Sequence, residues 1–143
     1  MNRRYKVVWV LLCLGLFAMT ATLPELIAVW PERRVVRQAF SNYADALINQ
    51  KFEEAYGYQS PEFQETVSFG SFVKYQHDLQ AKFGALKSVK QEGMTVQKWR
   101  SPGRWRSSIV ADFQYANAKV RFTFELHRDN GRWTIFSSSG KEK

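Results

Sequence analysis

The spacing of apolar residues changes period at Gly84. Before it, Val36, Phe40, Tyr43, Ala44, Leu47 and Ile48 recur every three or four positions, the spacing of one helix face. After it, Ile109, Ala111, Phe113 and Tyr115 alternate with polar neighbours, and so do Val120, Phe122, Phe124 and Leu126. A chain with a helical first half and a strand second half folds as α+β, its helices gathered on one face of an antiparallel sheet. With 143 residues there is room for one such domain and little more.

Pro31 suits a helix start, and the sequence predicts a first amphipathic helix over about 32–50. A short second helix follows over Lys51–Tyr58, with Phe52, Ala55 and Tyr56 inward. Ser60-Pro61-Glu62 reads as a fresh helical turn, Ser as N-cap and Pro at the first position. Ser68 or Ser71 opens a third helix bearing Phe69, Phe72, Val73, Leu79 and Phe83, and Gly84 ends it.

In the strand half, a tight turn at Ala116-Asn117 sets Phe113 against Val120, Ala111 against Phe122 and Ile109 against Phe124. Every apolar residue then faces another, and a one-residue slip would destroy the match. The same register puts Asp112 opposite Arg121 on the other face, a favourable charge pair. A second turn at Asp129-Asn130, before Gly131, sets Leu126 against Trp133 and Phe124 against Ile135. One earlier strand, or a bent pair, fits Leu86–Trp99. Residues 138–143 read as a polar, solvated tail.

Residues 1–31 differ from the rest. Arg3, Arg4 and Lys6 lead into an uncharged run from Val7 to Leu23, followed by Pro24, Glu25 and a further apolar patch to Trp30. Continued through Pro24, the run is long enough for a ~30 Å hydrocarbon layer. Trp9 and Trp30, about 32 Å apart along a helix, would reach its two interfaces. Around Ala18–Ala21 only one of the two positions that a signal peptidase reads holds a good small residue. The sequence therefore predicts an uncleaved single-span anchor over a cleaved signal, with Cys13 a small apolar residue within it. The basic start, MNRRYK, places the domain on the extracytoplasmic side. Pro24 and Glu25 would mark where the span docks on a partner helix, or else Glu25 lies among headgroups.

Two longer stretches then carry a resemblance. VVRQAFSNYADALINQKFEEAYGYQSPEF resembles the first helices of the nuclear transport factor 2-like, cystatin-like α+β-roll superfamily. FTFELHRDNGRWTIF is similar to that superfamily's last hairpin. The resemblance spans about 34–137. It implies a cone-like roll whose sheet wraps the long helix and can enclose a pocket, and it implies no single chemistry, because the superfamily holds isomerases, dehydratases and inactive scaffolds. The fold expected is thus α+β: one N-terminal transmembrane helix, then three helices packed on a curved four-stranded antiparallel sheet. The domains are 1–31 (tail and anchor), 32–137 (roll) and 138–143 (tail).

Catalytic residue types are scarce. One Cys excludes a disulfide framework and a Cys-rich metal site, and two His disfavour a multi-His centre, so no cofactor or metal is expected. Asp45, His77, Asp78, Asp112, Glu125 and His127 could act as acid or base, but Asp45 lies on the polar side of its helix. His77 and Asp78 are adjacent and do not face one another, and the last three alternate with the inward residues. Among inward positions only Tyr115 is polar. The interior reads as filled with side chains, and an enzyme is not expected.

Lys98-Trp99-Arg100-Ser101-Pro102-Gly103-Arg104-Trp105-Arg106 gathers cations and indoles in one turn of a chain whose net charge is +8. Lys98, Trp99, Arg100, Arg104, Trp105 and Arg106 are candidate contacts to a protein partner or to anionic lipid headgroups. A solvated turn, with the Trp rings packed on the sheet under the Arg stems, is the plain alternative. No nucleic-acid-binding signature accompanies the turn, which disfavours nucleic acid. The candidate membrane contacts are Trp9, Pro24, Glu25 and Trp30.

Two functions follow from the sequence. The first is a non-catalytic, membrane-anchored accessory or assembly subunit offering its domain to a larger membrane complex, with a filled interior. The alternative is a membrane-tethered pocket module that binds, or turns over, a small apolar molecule. It calls for an open cavity of several hundred Å³ lined by Phe and Tyr.

Overall fold

The computed structural model of the chain describes residues 29–99 and 104–142. The domain treated below begins at Arg34. Residues 29–48 are helical (α1), and α2 (Phe52–Gly57), α3 (Pro61–Thr66) and α4 (Phe69–Phe83) follow. Four strands complete it: β1 (Leu86–Lys98), β2 (Trp105–Tyr115), β3 (Lys119–Asp129) and β4 (Arg132–Glu142). They form one antiparallel meander in the order β1-β2-β3-β4.

Local chemistry sets the helix boundaries. Gln50, at φ 57°, breaks the chain after α1. The Ser60 hydroxyl accepts from Phe63 N at 3.2 Å, with Pro61 at the first helical position, so the fresh turn at 60–62 becomes a helix of its own. Ser68 caps α4 by accepting from Ser71 N at 3.2 Å, and Gly84 closes it at φ 82°. A Cβ at Gly84 would lie 2.7 Å from Cβ of Ala116, so the turn also needs glycine for closeness.

Across β2 and β3 the pairing is Phe113 with Val120, Ala111 with Phe122, Ile109 with Phe124, and Asp112 with Arg121, as the alternation requires. The inner face of the sheet carries Ile109, Phe113, Phe122, Phe124, Leu126, Trp133 and Ile135, all buried. Helix α1 lays Val36, Phe40, Tyr43 and Leu47 on it, and the Phe40 and Phe124 ring centroids are 5.1 Å apart. Each such fully buried side chain contributes about 1.5–3 kcal/mol.

The expected fold is corrected in two respects. Among the described residues no helix is long and apolar enough to cross a membrane. The helical stretch 29–48 carries Glu32, Arg33, Arg34 and Arg37, and from Val36 onward it is amphipathic against the sheet. Most of the expected span lies outside the described residues. Among the described residues four helices, not three, precede the sheet, because the capped turn at Ser60 propagates to Thr66.

The β3–β4 register also differs. Leu126 pairs with Ile135 and Arg128 with Trp133, not Leu126 with Trp133, because the two-residue turn is Asn130-Gly131 and both have positive φ (51° and 80°). A two-residue shift preserves the faces, so Trp133 and Ile135 still point inward. A bulge between Glu125 and Leu126 then sets Glu125 against Ser137 and Phe124 against Ser138. The expected tail is strand: β4 continues to Glu142, which pairs with Val120.

Candidate functional site

Beyond the bulge, the inward partners of Phe124 and Phe122 on β4 are Ser138 and Gly140. Two such small residues leave the aromatic floor of the sheet uncovered at this end. Helix α4 roofs it with Phe72, Gln76 and Leu79, and α1 walls it with Tyr43 and Leu47. Between them lies a cavity of about 410 Å³. Phe63, Val67 and Gln59 close the α3 side. Tyr75 and Ser138 are exposed lining residues, so the mouth lies between α4 and the end of β4. The Lys82–Glu142 ion pair, 3.4 Å long and well exposed, bridges α4 and β4.

The lining is apolar with neutral polar tips, and it holds no Asp, Glu, His, Lys or Arg. Gln59, 5% exposed, donates from Nε2 to the Tyr43 hydroxyl at 3.5 Å. Burial pushes the Tyr43 phenol far up. It pushes Tyr115 up to about 12, and the nearby Tyr75 adds to that shift. Both phenols therefore stay protonated and neutral across the physiological range. The cavity can enclose an apolar body and hydrogen-bond it, but it has no group that titrates near neutrality.

The acid–base candidates all lie elsewhere. Asp45 is exposed on α1. Asp78 pairs with Lys74 at 2.6 Å, and His77 sits edge-on to Phe52 at 5.3 Å. Asp112, 2% exposed, takes two hydrogen bonds from Arg121, at 2.6 and 2.9 Å, and an ion pair from Lys119 at 3.1 Å. Its carboxylate holds the Arg121 guanidinium above its ordinary pKa, so this is a structural cross-strand clasp. Tyr115, expected as the one polar inward residue, does line the cavity. Among the described residues no group of His, Cys, Asp and Glu could hold a metal ion.

The basic aromatic turn is distributed over the sheet. Trp105 is half-buried against the core, whereas Lys98 and Arg104 are exposed, and Arg100 lies outside the described residues. Trp99 is 42% exposed on the outer face, with the Arg106 guanidinium 5.0 Å from its ring. Arg106 is ion-paired with Glu125, which contacts His127 Nε2 at 3.2 Å. His127 stacks on Phe136 at 4.4 Å, with Trp99 edge-on at 5.6 Å. The turn and these strand residues thus form one outer patch, to which the bulge contributes Phe136. Of the candidate membrane contacts, Trp30 is helical and exposed, and Trp9, Pro24 and Glu25 lie outside the described residues.

Sequence reasoning expected a filled interior and missed Gln59, Gln76, Ser138 and Gly140. A signal for Gln76 was present, since it stands between Phe72 and Leu79 on the apolar stripe of α4. Ser138 and Gly140 gave none, because their inward aim depends on the bulge.

No family model matches the chain, and no curated protein does. Among 37 solved chains that match, the structure of Bdellovibrio bacteriovorus Bd1075 covers 78% of this chain with a TM-score of 0.56 and 11% identity. The chain spans 40% of the length of that protein, so the likeness is one of fold.

Proposed function

We propose that the domain is a non-catalytic module that binds a small, largely apolar molecule in the cavity between α1, α4 and the sheet. The observation that carries this reading is the cavity itself: about 410 Å³, floored by Phe113, Phe122 and Phe124 and free of charged side chains. That volume lies within the roughly 300–1,000 Å³ usual for small-molecule sites. The resemblance to an α+β-roll superfamily whose folds can enclose pockets supports it further. The lining, whose phenols are held neutral by burial, supports binding over turnover.

An accessory role toward a protein partner has support of its own in the exposed Trp99 and Phe136 beside Arg106, the residue types that dominate contact surfaces. The two roles use opposite faces of the sheet and are compatible.

The test is titration of the full chain with N-phenyl-1-naphthylamine, an uncharged apolar fluorophore. A saturable, blue-shifted signal at one probe per chain is expected, and Leu79→Trp, which adds bulk to the roof, should abolish it. Signal that never saturates, or that survives Leu79→Trp unchanged in a folded protein, would contradict the reading.

A further inference from the structure

The roof of the cavity contains a polar group with no protein hydrogen-bond partner among the described residues. Gln76 is 8% exposed, lines the cavity, and has no hydrogen-bond partner among the described residues. It stands one turn after Phe72 and one turn before Leu79, where a leucine would complete the stripe. Its carboxamide is not sealed in the core as an orphan; it belongs to a residue that lines the cavity. A carboxamide offers donors and an acceptor in one plane. Tyr115, 3% exposed, also lines the cavity, its hydroxyl without a partner among the described residues, and the Tyr43 hydroxyl, which accepts from Gln59, keeps its own hydrogen to donate.

We propose that the cavity selects an uncharged ligand of the amide or lactam class, its apolar body on the Phe113–Phe122–Phe124 floor and its donor–acceptor head paired with Gln76. This rests on the binding-module reading and narrows it. Charge is excluded by the lining: an anion or cation would leave water for a wall that offers it no counter-charge. A purely hydrocarbon ligand would leave the Gln76 carboxamide dehydrated and unpaired, which costs affinity. A head that donates and accepts at once removes that cost, and an alcohol does so less completely than a planar amide. Selectivity of this kind is strong where a buried polar group is left unpaired by the wrong ligand.

The experiment is isothermal titration of the full chain at pH 7.5 with octanamide, octanoate and naphthalene, repeated on Gln76→Leu. Octanamide should bind at least tenfold more tightly than octanoate. Gln76→Leu should weaken octanamide at least fivefold while leaving naphthalene, which has no head group, unchanged or tighter. If naphthalene binds but octanoate equals octanamide, or Gln76→Leu leaves octanamide unaffected, the ligand class is wrong and the binding module stands. If none of the three binds, both fall.

Discussion

The ring of Phe122 lies over the backbone of Gly140, so close that a Cβ there would sit 2.5 Å from Cε1 and 2.9 Å from Cδ1. The two residues are direct cross-strand partners on the inner face. Phe113 at 4.8 Å and Phe124 at 5.9 Å flank the ring, and the ring lines the cavity, so displacing it disturbs the cavity floor. Gly140→Ala is therefore expected to reshape the cavity, weakening binding of an apolar probe at least fivefold. Equilibrium titration beside a thermal melt checks this, and the melt should fall by only a few degrees.

A second expectation concerns Gln76 and the unliganded protein. Its carboxamide has no partner among the described residues, so Gln76→Leu removes a polar group without breaking a protein hydrogen bond. Stability in urea should stay level or rise by up to about 1 kcal/mol. A loss greater than that would mean the carboxamide supports the fold.

The buried phenols make stability fall at high pH. Tyr115 titrates at about 12 in the folded state and Tyr43 is raised further, against about 10 for an unfolded tyrosine. A folded pKa above the unfolded one gives stability that is complete below pH 10 and is lost as pH rises from 10 through 12. Melting temperature should drop steeply in that window. The drop should be shallower in Tyr115→Phe, which removes one of the two phenols.

Asp112 anchors the outer face between β2 and β3. Removing its carboxylate leaves Arg121 and Lys119, both well exposed, able to recover water. Asp112→Ala is therefore expected to cost about 1–3 kcal/mol, less than the loss of a pair buried on both sides. Denaturant unfolding measures it.

Much of the fold was legible because local rules agreed with each other. The alternation over Ile109–Tyr115 and Val120–Leu126 sets which residues face inward, the tight turn at Ala116-Asn117 sets the register, and that register is observed. The β3–β4 register was off by two because Asn130-Gly131, rather than Asp129-Asn130, takes the two positive-φ positions. Since strand faces repeat every two residues, the error left the inward set intact. The site was less legible. The bulge after Glu125 decides that Ser138 and Gly140 face inward, and a bulge leaves little trace in hydrophobic spacing. Residues judged by alternation alone looked like a filled interior. The segment before residue 29, with its long uncharged run, gave no basis for the cavity in either direction.

The central claim, that the cavity is a ligand site, is tested most directly by an amide-resolved ¹H–¹⁵N NMR titration of the full chain with octanamide. Saturable shifts should cluster at Leu47, Gln59, Phe72, Gln76, Phe122 and Phe124, with the outer-face amides of Trp99, Arg106 and His127 unmoved. Shifts confined to the outer face, or no shifts at saturating octanamide, would contradict the account.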